Sequence, residues 1–378
     1  MTPMTRSPEC TASTSTLFVA FELGSTQWKL AFAAARAARP WLRTVPAGNL
    51  ERVWQEVTAA KRRFGLEDTT AVRSCYEAGR DGFWLHRALT AHGLINVVID
   101  PSSIAVDRRQ RRAKTDRLDA SKLVVQLMNA AAGDRRGWRE VHVPSIAVEA
   151  DRQLQREWET VREDRKRIRN RLQGVLATQG IHVPLTTAFP LRLVAVRTGD
   201  GQALPAGFMD RLNREWTHLR QVEARLTTLR HARRARVEAP SDTVARQTRQ
   251  LTQLCGVAAN GALTLTTELF AWRGFTNGRQ IGAVAGLTPT PYRSDQTARE
   301  QGISRSGNRR VRALSIQLAW GWLRHQRTSA LTQWFEQRFG HHRRARRIGI
   351  VALARTLLIA LWRYVDQGVV PDGARLKV

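Results

Sequence analysis

Hydrophobic positions near the N-terminus alternate or fall in short runs, whereas those farther along recur every three to four residues. Leu17 to Glu22 (LFVAFE) and Trp28 to Phe32 read as two short strands joined at Gly24-Ser25. Glu51 to Phe64 has the spacing of an amphipathic helix. Ala71 to Glu77 reads as a strand that ends on a carboxylate. Gly82 to His92 reads as a helix closed by Gly93, and Ile95 to Ile99 as an apolar strand closed by Pro101. Asp116 to Met128 completes the set as a helix. Strands alternating with helices predict an α/β domain over residues 17–145.

The middle of the chain has a different period. Leu154, Trp158, Val161, Ile168, Leu172 and Val175 follow four-three spacing, with Arg165 in the polar slot. Leu212, Trp216, Leu219, Leu226 and Leu229 nearly repeat it, with Glu223 in the polar slot. This predicts a helical coiled-coil region over residues 146–244, broken by a Gly/Pro-containing loop at 180–207. Its helices pack on each other or on a partner subunit, and Arg165 could meet Glu223. From residue 245 to 365 the pattern predicts a mainly α domain, with helices at Leu251–Leu254, Ala262–Ala271, Arg309–Gln326, Ser329–Phe339 and Arg347–Tyr364. LCGVAANGALTLTTEL has the outline of a helix–turn–helix hairpin. Residues 1–16, rich in Ser, Thr and Pro, read as a disordered tail, and 366–378 as a second tail. The longest apolar stretch, Ile348 to Trp362, is short for a bilayer and contains Arg355, so it reads as a buried helix and no membrane partner is expected.

Charge narrows the function. Of 378 residues, 61 are Lys or Arg and 32 are Asp or Glu, a net charge of +29. Such a chain repels itself unless a polyanion neutralises it, and nucleic acid is the first candidate. An anionic membrane fits less well, because the basic residues are spread along the whole chain. Cys10, Cys75 and Cys255 form no zinc or redox spacing, which fits a reducing cytosol. The polar N-terminus lacks the apolar core of a signal peptide, so a cytoplasmic location is expected.

Four acids stand out by position: Glu22 and Glu77 end strands, and Asp116 and Asp119 lie three apart in KTDRLDA. A spacing of three puts both aspartates on one helix face. Together they are what a hard divalent ion needs in phosphoryl transfer. The same aspartates would also suit a helix N-terminus, and the glutamates an ordinary surface. Farther on, GLTPTPYRSDQTAREQGISRSGNRRVR places Ser294 in a loop among arginines. Arg293, Arg299, Arg305, Arg309 and Arg310 could hold phosphates there, and Lys114 could do so in the basic run before Asp116. A serine needs activation to act as a nucleophile, and a loop serine beside arginines is equally a turn residue or a plain phosphate contact.

Taken together, the motifs resemble the DEDD transposases of the insertion-sequence 110 type, which are RNA-guided recombinases. YEAGRDGFWLHRALTAHGLINVVIDPSSI followed by RRAKTDRLDASKL resembles their N-terminal catalytic domain. GRQIGAVAGLTPTPYRSD followed by GISRSGNRRVRALSIQLAW resembles their C-terminal transposase domain. The resemblance implies an RNase H/RuvC-like first domain, a coiled-coil linker and a mainly helical C-terminal domain. It places Glu77, Asp116 and Asp119 on the second to fourth acids of the metal motif, and Glu22 on the first, where Asp is more usual. Ser294 falls on the catalytic serine, followed here by Asp295-Gln296-Thr297 rather than a Gly-rich stretch. It further implies Mg²⁺ or Mn²⁺, donor and target DNA, a structured guide RNA, a homo-oligomer and a bacterial nucleoid-associated setting. A metal-only nuclease of the junction-resolvase kind, with Ser294 structural, and a non-catalytic binding protein are the alternatives.

Overall fold

The structure is a computed structural model that describes residues 16–34, 39–103, 116–239, 242–294 and 297–377. The chain divides into two compact units, Met1–Val143 and Pro144–Val378.

The first unit is built on a mixed sheet. Its elements are β1 (Leu17–Leu23), β2 (Gln27–Ala33), β3 (Trp41–Pro46), α1 (Leu50–Arg63), β4 (Val72–Glu77), α2 (Trp84–Ala91), β5 (Ile95–Ile99) and α3 (Asp116–Ala131). The strand order is β3-β2-β1-β4-β5. β1 and β3 pair antiparallel with β2, while β1, β4 and β5 run parallel through helical crossovers. Strand alternation gives each face its own core. Leu17, Val19, Phe21, Trp28, Leu30 and Phe32 pack with Val53 and Val57 of α1 and with Leu85 and Leu89 of α2. Ala20, Ala31 and Cys75 point the other way, against Ala120, Leu123 and Val124 of α3. Strand β3 was not legible as a strand, because its WLRTVP sequence is half-exposed at the sheet edge. Arg43 on it is held by Glu56 of α1 through a 2.6 Å contact.

The second unit begins with α4 (Ile146–Ala177), α5 (Phe189–Ala195) and α6 (Ala206–Glu238). α4 and α6 lie antiparallel, as the pairs Asp151–Arg236, Glu157–Arg225 and Arg171–Glu215 require. Val161, Ile168, Leu172 and Leu176 meet Leu212, Trp216, Leu219, Leu226 and Leu229 along the seam. The two helices thus pack on each other. Glu223 meets Arg220 at 3.0 Å and Arg169 at 3.9 Å rather than the expected Arg165. The connection read as a loop contains α5, whose Phe189 packs on Trp216 with ring centres 4.8 Å apart.

The remainder comprises α7 (Thr243–Thr252), α8 (Ala259–Leu265), a π-helical turn (Thr266–Phe270), α9 (Gly278–Val284), β6 (Pro289–Ser294), β7 (Thr297–Ile303), α10 (Arg309–His325), α11 (Ala330–Phe339) and α12 (Arg343–Gln367). α7, the Gly256 turn and α8 make the expected hairpin; Gly256 sits at φ +86, where glycine alone is unstrained. α12 is long and apolar enough to cross a bilayer, yet Leu353, Leu357, Leu358 and Leu361 on it are buried in this unit's largest core. The residues expected as a C-terminal tail fold back instead. Cys255 N–H donates to the Arg375 carbonyl at 3.0 Å, and Gln326 Nε2 donates to the same oxygen at 2.9 Å.

Candidate active site and nucleic-acid contacts

In the first unit, Phe21 pairs with Tyr76 across the parallel strands β1 and β4, so Glu22 and Glu77 follow side by side. Both line one open pocket of about 280 Å³, together with Gly79, Arg80 and Asp81. Asp81 was not singled out from the sequence, although it is the fourth residue after Glu77 in EAGRD. Strand alternation puts Glu22 with Ala20, and Glu77 with Cys75, on the face that α3 covers. Asp116 opens α3, and Asp119 lies one turn before Leu123, whose carbonyl is 4.0 Å from Cys75 Sγ. The carboxylate oxygens are the right donors for a hard divalent ion. Among the described residues, which exclude the Asp116 side chain, the acids do not close into a cluster of three or more that could hold a metal. Lys114 lies outside the described residues.

Burial pushes the Cys75 thiol well above its ordinary value of 9.0, and the charge of Glu77 adds to the effect. The protonated thiol is therefore favoured by folding. Its contribution to stability is full below pH 9.0 and is lost as pH rises toward the folded-state value. In the native protein at pH 8, iodoacetamide is expected to label the half-buried Cys255 and to leave Cys75 unmodified until denaturant is added. Equal labelling of both thiols, read by mass spectrometry, would contradict this burial.

In the second unit, Ser294 is the last residue of β6, not a loop residue, and pairs with Thr297 at the tip of a two-stranded hairpin. Arg293 pairs with Ala298, and Tyr292 with Arg299. The prolines are tolerated because the ribbon has only edges, and the register slips between Pro289 and Pro291. An isolated hairpin is marginal, so its base must be fixed. Ser304 N–H donates to the Thr288 carbonyl at 2.9 Å, and Asn308 N–H to the Val284 carbonyl at 2.7 Å. A Cβ at Gly286 would collide with the Ser306 carbonyl, and one at Gly307 with the Val284 carbonyl.

The exposed Arg305 is held at φ 55, a left-handed conformation that costs an ordinary residue about 1 kcal/mol. Arg305→Gly is therefore expected to leave the fold as stable or up to about 1 kcal/mol more stable. The same change should weaken nucleic-acid binding and lower the salt slope by about one. A fall in melting temperature would show instead that Arg305 serves the fold. Arg309 is exposed at the start of α10, where cations oppose the helix dipole unless an anion sits there. Arg310 is already engaged by Glu159 of α4.

Behind the hairpin lies a buried polar cluster. Glu268, on the π-helical turn, is 1% exposed. It accepts from Arg156 Nε at 2.6 Å and Nη2 at 2.9 Å, and from Asn308 Nδ2 at 2.9 Å. Arg152 stands 3.7 Å away. Asn308 Oδ1 in turn caps α10 by accepting from the Arg310 and Val311 amides. Burial works to raise the Glu268 carboxyl, but the Arg156 hydrogen bonds, both arginine charges and Asn308 hold it below its ordinary 4.5. Beside it, Gln155 donates to Asn260 and Thr264, and Arg233 donates to Gln155 and Asn260. Burial lowers the Arg233 guanidinium to about 10. These residues were missed from sequence. The one available signal was Glu268 itself, a lone acid inside the apolar run LTLTTELFAW, which cannot be buried without cationic partners.

Residues 248–334, which contain the hairpin and Glu268, match the family described as Transposase IS116/IS110/IS902. The chain is also 36% identical over 377 residues to a Sinorhizobium fredii (strain NBRC 101917 / NGR234) protein named "Putative transposase y4rJ", covering 96% of this chain and 94% of that one. The chain belongs to the IS110-type transposase family. A second protein of the same strain, "Putative transposase y4qE", is 28% identical over 275 residues, 71% of this chain and 65% of its own length.

Proposed function

We propose that this transposase cuts and rejoins donor and target DNA through a phosphoserine intermediate on Ser294. The observation that carries this reading is the position of Ser294. It ends a strand beside the hairpin turn, within the family-matched residues, on a base that exposes Arg305 and Arg309. In the forward step Ser294 Oγ attacks a DNA phosphorus, the bond from phosphorus to one deoxyribose oxygen breaks, and the serine proton is given up as the displaced oxygen takes one. The reverse step, with a new strand as nucleophile, restores the serine and reseals the DNA without any other energy source. Arginines around the phosphate would stabilise the charge that develops on its oxygens.

The first unit has the RNase H/RuvC-like role in this reading. Its mixed strand order, with Glu22 and Glu77 on adjacent central strands, supports that assignment. Glu22, Glu77, Asp116 and Asp119 would hold Mg²⁺ or Mn²⁺, and the ion would polarise a phosphoryl oxygen. The long α4–α6 pair takes the place of the coiled-coil linker, and this reading includes a homo-oligomer. The net charge of +29 supports a double load of DNA and a structured guide RNA.

The test is incubation with donor DNA, target DNA and the element's RNA in Mg²⁺, followed by a denaturing gel. A protein–DNA adduct that survives denaturation is expected. DNA cut with no adduct would favour the metal-only nuclease, in which the carboxylates act and Ser294 does not.

A further inference from the structure

Two shallow grooves of about 460 and 330 Å³ adjoin on the surface of the α4–α6 pair and share Arg165. Arg162, Arg165, Lys166 and Arg169 line them from α4, and Arg220 and Arg230 from α6. Against these six cations stand two acids, Glu163 and Glu223, and Glu223 is already taken by Arg220 and Arg169. Among the described residues, Arg165, Lys166 and Arg230 have no carboxylate within ion-pair distance. The α4 cations fall at i, i+3, i+4 and i+7, so each repels its neighbours by about 0.2–0.5 kcal/mol until an anion screens them.

The shape of the patch selects the anion. No aromatic ring lines either groove. The nearby Trp158 carries Arg233 at 3.9 Å and Arg162 at 5.1 Å over its ring, so bases cannot stack on it there. A single-strand site needs such stacking platforms, whereas a duplex backbone needs only charge. The cations come from both helices of the pair, four from α4 and two from α6, so the charge spreads across the face rather than along one helix. We infer that this face of the helical pair is a binding surface for the backbone of double-stranded DNA, read without regard to sequence. The inference rests on the chain's handling DNA, and it does not depend on Ser294.

The experiment compares the full-length protein with the triple variant Arg165→Gln, Lys166→Gln, Arg230→Gln on random-sequence duplex DNA over a range of salt. A control, Arg192→Gln, Arg197→Gln, Arg211→Gln, makes the same charge change at exposed sites outside the grooves. The slope of log affinity against log salt is expected to fall by about 2–3 in the groove variant and by less than one in the control. Helix content should be unchanged, since all six positions carry surface charges. Equal losses in both variants would overturn the site in favour of net charge alone. Loss on duplex RNA or single strands with duplex DNA unaffected would overturn the assigned occupant. A wild type with no salt-dependent DNA binding would instead sink the transposase reading, and this inference with it.

Discussion

With Ser294 replaced by alanine, the covalent protein–DNA adduct is expected to vanish and strand exchange to fall by on the order of 10⁴-fold, while DNA binding stays within about twofold. The size follows from the proposed role: alanine removes the oxygen that forms the bond to phosphorus. Binding should survive because the proposed function gives the phosphate contacts to arginines, which the substitution leaves in place. Glu77→Gln is the informative partner experiment. It keeps the shape of the acidic pocket but removes one charge, so DNA binding should persist and cutting should fall. Should Ser294→Ala retain strand exchange at near wild-type rate while Glu77→Gln does not, chemistry would reside in the carboxylates alone.

The largest expected stability effect comes from Glu268→Gln. The change takes from the partly buried Arg156 and Arg152 the carboxylate they contact, and breaking such a pair costs about 3–5 kcal/mol. For a unit of this size each kcal/mol moves the melting temperature by about 2–4 °C, so a drop of about 6–20 °C is expected. The carboxyl is held below its ordinary 4.5, so its contribution is fully present above pH 4.5 and is lost as pH falls toward the folded-state value. The variant should therefore lose stability at pH 7 and show a shallower acid transition than wild type. A melting temperature within about 2 °C of wild type would mean that water or a neighbouring acid replaces Glu268. Because Asn308 joins this cluster to the cap of α10 and to the end of α9, loosening it should also loosen the hairpin that carries Ser294.

What was legible in the sequence was whatever has a period. Strand alternation in LFVAFE and the four-three spacing of Leu154 through Val175 each report burial directly, and the sheet and the α4–α6 seam follow from them. The edge strand β3 and the seven-residue α5 carry too few buried residues to show a period. The β6–β7 ribbon was hidden because PTPYRS contains two prolines, which argue against a strand unless it lies at a sheet edge. For the candidate site, Glu22 and Glu77 were legible as strand-end acids, and the fold brings them into one pocket. The Glu268 cluster was not, because its contacts join residues 112 and 40 positions apart. Local pattern carries no record of such pairs. The Arg165–Glu223 pairing failed for a related reason: heptad position sets which face a residue takes, but the antiparallel register decides which residue it meets.

The most direct test of the central claim is to digest the trapped protein–DNA adduct and locate the modified residue by mass spectrometry. The proposed function predicts a nucleotide remnant joined through phosphate to Ser294 in the peptide around TPYRSDQTAR. DNA that is cut and rejoined with that peptide always unmodified, or with the remnant on another residue, would contradict it.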